Sequence, residues 1–101
     1  VALGKQRLQK LMSLFSTAVE RGLEEMAEMN AQQDLYEISD IAHRLAGDAD
    51  AVGAQALAYA FRELESRCNA NGEIDLSADI TKLTPLYFST LALLKETLKN
   101  A

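Results

Sequence analysis

The sequence has 101 residues, of which 49% are apolar and 25% charged, and its formal net charge is -5. This size and apolar content fit one domain with a single core over residues 1–101, and they exclude a disordered segment. The acidic balance argues against nucleic acid or an anionic membrane as a partner, because both bind clustered Lys or Arg side chains. The single cysteine, Cys68, excludes an internal disulfide and is interpreted as a buried core residue.

The first segment predicts a long amphipathic helix from Lys5 to about Asn30. Its apolar residues recur at steps of three and four, which is typical of a bundle core rather than of a ligand groove. Gly22 lies inside this segment and lowers its helical stability by up to about 1 kcal/mol relative to Ala. The apolar stripe consists of Leu8, Leu11, Met12, Phe15, Val19, Leu23, Met26 and Met29.

The next two segments also predict helices with apolar stripes. The second helix should begin near Gln33 or Asp34, whose carboxylate can cap free amide groups, and it should end at the Gly53 turn. The third should run from Ala54 and stop at the turn-forming residues 69–72. The stripes are Leu35, Ile38, Ile41, Ala42, Leu45, Ala49 and Val52 on the second helix, and Ala54, Leu57, Phe61, Leu64 and Cys68 on the third.

A fourth helix should open near Asp75 or Ser77. Pro85 lies inside its apolar pattern, so a kink or a break is expected between Thr81 and Pro85. Four amphipathic helices with short connections predict an all-α protein, an antiparallel up-down-up-down four-helix bundle.

The only histidine, His43, lies on the polar side of the second helix. At 100° per residue it points about 150° away from the centre of the apolar stripe, toward solvent. Position alone favours an ordinary surface histidine. Gly47 argues for function, because a glycine in mid-helix costs stability but lets another molecule approach the imidazole. The predicted neighbours on this face are Tyr36, Ser39, Asp40, Ala46, Gly47 and Asp50.

Residues 42–57 read AHRLAGDADAVGAQAL, and the pair Leu64-Glu65 follows on the next helix. This pattern resembles the signature of histidine-containing phosphotransfer (Hpt) domains. The family pattern is approximately His-x-Leu-Lys-Gly-Ser-Ser/Ala, three spacer residues, Gly-Ala-x-x-Leu, and a Leu-Glu pair on the next helix. The positions that match in register are His43, Leu45, Gly47, Ala49, Gly53, Ala54, Leu57, Leu64 and Glu65.

The resemblance implies a phosphoryl carrier in a two-component phosphorelay. His43 would accept phosphate from a receiver-domain aspartate and pass it to the aspartate of another receiver. Receivers would dock on the exposed side of the second helix and adjacent residues of the third, with Tyr36, Ser39, Ala46 and Gly47 as candidate contacts. The resemblance implies no cofactor in this chain, because the receiver supplies Mg²⁺. No GxxxxGK[ST] loop is present, so we expect no autonomous kinase or ATPase activity, only an intermediate in a histidine kinase system.

We expect a cytoplasmic monomer. The abrupt start at Val1 favours the C-terminal module of a hybrid sensor kinase, which would be membrane-bound, over a free-standing protein.

The sequence departs from the family pattern at two positions beside the histidine. The usual lysine is Ala46, and the following small hydroxyl residue is Asp48. Loss of the lysine removes a charge that would stabilise a phosphoryl group. Arg44, the nearest cation in sequence, points about 100° away around the helix. Asp40 and Asp50 make the local field less favourable to phosphate.

Three alternatives to the carrier hypothesis remain open. A pseudo-Hpt adaptor would bind receivers without efficient phosphotransfer because the lysine is missing. A purely structural bundle or coiled-coil partner would ignore receivers. A metal or haem site is disfavoured, because one outward histidine has no second ligand at helical spacing.

Overall fold

The computed structural model describes residues 2–69 and 74–100, which form an all-α, up-down-up-down bundle. The helices are α1 (Ala2–Ala31), α2 (Leu35–Ala51), α3 (Gln55–Cys68) and α4 (Ser77–Lys99). Helix α1 packs on α2 and α4, and α3 packs on the same two helices, so the four form a closed ring. The body measures 52 × 17 × 17 Å. The predicted fold is therefore confirmed.

The capping residues lie where the sequence predicts them. The Asp34 carboxylate accepts a hydrogen bond from the amide of Glu37 at 3.1 Å, which satisfies one free donor at the start of α2. Gly53 follows α2 with φ of +77°, a left-handed conformation that glycine adopts without strain. Of the turn predicted at residues 69–72, only Asn69 lies within the described residues.

Helix α4 is continuous from Ser77 to Lys99 with Pro85 inside it. A kink or a break was expected near Pro85, and the break does not occur. Buried Ile80, Leu83 and Tyr87 lie on both sides of the proline, and their packing holds the helix together across the missing backbone hydrogen bond.

Two residues of the predicted α1 stripe are exposed. Leu8 is 49% exposed and Leu11 is 39% exposed, whereas Phe15, Val19 and Met26 are in the core. Helix α1 is about 45 Å long and α2 about 25 Å, so the first turns of α1 extend beyond the end of α2. The periodicity of α1 was correct, but its partner helix is too short to cover it.

Gly22 permits close packing of α1 against α2. A Cβ atom at this position would lie 2.5 Å from Cδ1 of Leu45, whose side chain is fully buried. The glycine that weakens α1 locally is thus required for the approach of the second helix.

A buried asparagine ties the end of α1 to the start of α4. Asn30 is 8% exposed, and its amide nitrogen donates to Asp75 Oδ1 at 3.2 Å and to Ser77 Oγ at 3.0 Å. Its amide oxygen accepts from the backbone nitrogen of Leu76 at 3.1 Å. Hydrogen bonds from Ser77 and Asn30 lower the pKa of the Asp75 carboxyl.

No helix in the described parts of the chain has the length and apolar character needed to cross a membrane.

Candidate functional site

His43 is the central residue of α2, and its side chain is 76% exposed. Helical spacing predicts this exposure from the sequence. The imidazole lies on the side of α2 that faces α3, so α3 also contributes a side chain to the site.

Glu65 of α3 contacts the imidazole. Its Oε2 atom lies 3.0 Å from Nδ1 of His43, and the Glu65 side chain is 29% exposed. Because a carboxylate can only accept hydrogen bonds, this contact places a proton on Nδ1. In the neutral ring the lone pair then lies on Nε2. Glu65 therefore orients the imidazole and selects the tautomer in which the outer nitrogen is nucleophilic.

Arg62, one turn before Glu65 on α3, forms an ion pair with Asp50 of α2. Both side chains are about half exposed, at 52% and 46%. The Asp50 carboxylate, and to a smaller extent Glu65, raises the pKa of the Arg62 guanidinium. Asp50 was expected to make the field less favourable to phosphate, but in the structure its charge is offset by a cation from the next helix.

The remaining predicted neighbours form an open surface around His43. Tyr36 is 83% exposed, Asp40, Arg44 and Gly47 are exposed, and Ser39 is half-buried. A Cβ atom at Gly47 would meet no other atom within 4 Å. The surface beside the imidazole is therefore free of side-chain bulk, as the glycine predicted.

Ala46 does not lie on this open surface. It is 2% exposed and belongs to the core, so its prediction as a surface contact residue is wrong. Helix α2 packs against both α1 and α3, and its buried arc is therefore wider than the stripe through Ile38, Ala42 and Leu45. Position 46 lies on the edge of that arc that faces α3.

The sequence did not assign a role to either α3 residue in the site. Glu65 was present in the Leu-Glu pair of the family pattern, but its partner could not be identified from the pair alone. Arg62 belongs to no motif of the sequence, and its pairing depends on the register between α2 and α3. An arginine and a glutamate three residues apart share one helix face, and this spacing is the only hint in the sequence.

An apolar cleft of about 200 Å³ is separate from His43. It lies where the ends of α1 and α4 extend past α2, beside Ala51 and Val52. Those residues are about 12 Å along α2 from His43. Among residues 2–69 and 74–100, no group of three His, Cys, Asp or Glu side chains is placed to hold a metal ion.

A four-helix bundle with one exposed histidine at the centre of α2, held by an acidic residue of α3, defines a helical module with a single presented nucleophile. The sequence model of the Hpt domain matches residues 10–101. Because this match covers most of the chain, the protein belongs to the Hpt domain family. Hpt domains act in phosphotransfer within phosphorelays, and they interact with receiver domains. No curated protein and no solved structure gives a significant match to the chain.

Proposed function

We propose that this domain carries a phosphoryl group on Nε2 of His43, accepting it from a receiver aspartate and passing it to another receiver. The observation that carries the proposal is the contact of Glu65 with Nδ1, which leaves the Nε2 lone pair exposed to solvent. His43 is the only histidine in the sequence, so the family's activity has no other candidate acceptor of this type.

In the transfer step, the Nε2 lone pair attacks the phosphorus of the aspartyl phosphate. An N–P bond forms, the P–O bond to the aspartate breaks, and the aspartate leaves as a carboxylate. No base is needed, because the attacking nitrogen carries no proton. Glu65 keeps the Nδ1 proton hydrogen-bonded and stabilises the positive ring that forms, since the charge is shared between both nitrogens.

The receiver would supply Mg²⁺ and most of the charge stabilisation for the loose transition state. This domain would align Nε2 of His43 with the phosphorus, which a rigid helix and a fixed ring orientation make possible. Tyr36 and Gly47 on the open surface are the proposed contacts, with Ser39 and Asp40 at its edge.

The cellular location of the domain follows from its proposed receiver partners. Receivers are phosphorylated by histidine kinases in the cytoplasm, so we place the domain there as a monomer, either free or linked to a hybrid sensor kinase. It would contribute no kinase activity of its own.

A second candidate function is a pseudo-Hpt adaptor, which the alanine at position 46 favours. The lysine of the family pattern is missing, and no other α2 side chain supplies a cation on the α3 flank of His43. An adaptor would bind a phosphorylated receiver without becoming labelled itself.

The two candidates are separated by a transfer assay with purified receiver domains that have been phosphorylated with radiolabelled acetyl phosphate. A carrier gains label that is acid-labile and stable to alkali, whereas an adaptor co-purifies with the receiver and stays unlabelled. The matched control is His43→Gln, which keeps a polar side chain of similar length. It should remain helical and bind receivers without label, and continued labelling of it would refute His43 as the acceptor.

A further inference from the structure

The charges around His43 pose a problem for a phosphoryl carrier. Glu65 contacts the imidazole, and Asp40 lies about one turn before His43 on α2. Asp50 lies two turns after His43, and buried Ala46 brings no charge. A phosphoryl group on Nε2 adds nearly two negative charges to this surface. Without a cation, the phosphorylated form would be repelled by its own surroundings.

Arg62 is the cation that the fold brings to this place. It precedes Glu65 by three residues, so the two side chains share the face of α3 that packs along α2. Along α3 these residues are about 4.5 Å apart, whereas His43 and Asp50 are about 10.5 Å apart along α2. With Glu65 beside His43, the Arg62 backbone therefore lies about one turn from the imidazole and extends its side chain away from it to reach Asp50.

Gly47 removes one side chain that could obstruct Arg62 beside His43. Gly47 occupies the α2 surface between His43 and Asp50, and it has no side chain to block a long side chain that crosses it. Arg62 itself is half exposed, so its pair with Asp50 is a surface ion pair of low strength. Rotation about side-chain torsions is enough to move the guanidinium toward His43.

We propose that Arg62 replaces the missing lysine. Once His43 is phosphorylated, the Arg62 guanidinium moves away from Asp50 and contacts the phosphoryl oxygens. This inference rests on the proposed function. A guanidinium is suited to the role because its planar donors bind two phosphoryl oxygens at once. Asp50 then acts as a competitor that holds the guanidinium while His43 is unmodified.

The test phosphorylates the purified domain with phosphoramidate, a small donor that needs no receiver, and follows phosphohistidine by ³¹P NMR. Arg62→Gln should lose the phosphohistidine signal about threefold to tenfold faster than the wild type. The matched control is Arg21→Gln, an exposed arginine on α1, which does not pack on α3, and it should change the lifetime less than twofold. Asp50→Asn should lengthen it, because the competitor is gone.

A second readout separates direct contact from a structural effect. A cation beside the phosphoryl group lowers its pKa, so the ³¹P titration of Arg62→Gln should be displaced upward by about 0.5 unit. Arg62→Lys should recover most of that displacement. If Arg62→Gln does not fold, the wild type still decides the matter, since the Nε–H signal of Arg62 must shift on phosphorylation.

The outcomes distinguish the two proposals. A wild-type domain that takes up no phosphate overturns the proposed function and this inference with it. A labelled wild type whose lifetime and phosphoryl pKa equal those of Arg62→Gln overturns this inference alone, as does an Arg62 signal that phosphorylation leaves unmoved.

Discussion

The contact between Glu65 and His43 predicts that removal of the carboxylate changes the tautomer of the imidazole. In Glu65→Ala only water accepts the Nδ1 proton, so the ring is free to carry its proton on Nε2 instead. That tautomer presents an N–H group to the phosphoryl donor and cannot attack. Phosphate uptake by His43 should therefore slow.

The size of the effect follows from the exposure of the pair. A hydrogen bond to a charged acceptor contributes about 1.5–3 kcal/mol when it is well shielded. The His43 side chain is 76% exposed, so solvent competes for the bond, and about 0.5–1 kcal/mol is the appropriate range. This corresponds to about a twofold to fivefold change in the tautomer ratio and a decrease in rate of that factor or less.

The assay combines two measurements on the unmodified domain. The ¹⁵N chemical shifts of the His43 ring report which nitrogen carries the proton, and phosphoramidate labelling reports the rate. Glu63→Ala is the matched control, because it removes an exposed carboxylate from the side of α3 that faces α4. Glu65→Gln removes the charge but keeps an acceptor oxygen, which separates tautomer control from simple relief of repulsion.

Unchanged ring ¹⁵N shifts in Glu65→Ala would refute this reasoning, because they would show that the contact does not set the tautomer. A labelling rate that rises equally in Glu65→Ala and Glu65→Gln would indicate that the carboxylate acts on the donor only through its charge.

Three further predictions concern stability. Gly22→Ala should lower the free energy of unfolding, measured by urea titration, by about 1 kcal/mol, since overpacking against Leu45 outweighs the gain in helix propensity. Gly47→Ala should raise it by up to about 1 kcal/mol, because the added Cβ meets no neighbour. Asn30→Ala should cost about 2 kcal/mol, because the buried backbone amide of Leu76 loses its acceptor and the Asp75 carboxylate loses one of its donors. An unchanged denaturation midpoint would contradict the role given to Asn30. The pKa of Asp75 is lowered in the folded state, so its stabilising effect is present above the unfolded value of about 3.9 and is lost as the pH falls through the folded value. Acid unfolding of Asp75→Ala should accordingly depend less steeply on pH below about 4 than that of the wild type, and identical profiles would be inconsistent with this assignment.

The features that depend on local sequence were predictable. Periodicity located all four helices, and the Asp34 cap and the Gly53 turn fixed the limits of α2. The exposure of His43 followed from its angle to the apolar stripe, because that angle is set within one helix.

The features that depend on packing between helices were not predictable. Ala46 is buried because α3 covers a second side of α2, and Leu8 is exposed because α2 ends before it can cover the start of α1. The partners of Glu65 and Arg62 depend on the register between two helices, which no single-helix pattern contains. Of the kink or break expected near Pro85, the break does not occur, because the packing of α4 outweighs the local penalty of the proline.

The central claim is that His43 both receives and returns a phosphoryl group. The most direct measurement labels the wild-type domain and His43→Gln from a radiolabelled receiver, removes that receiver, and adds an unlabelled receiver with Mg²⁺. We predict that label enters the wild type alone, in an acid-labile form, and then moves to the second receiver. Label that enters His43→Gln, or a wild type that is never labelled by any receiver to which it binds, would contradict the account.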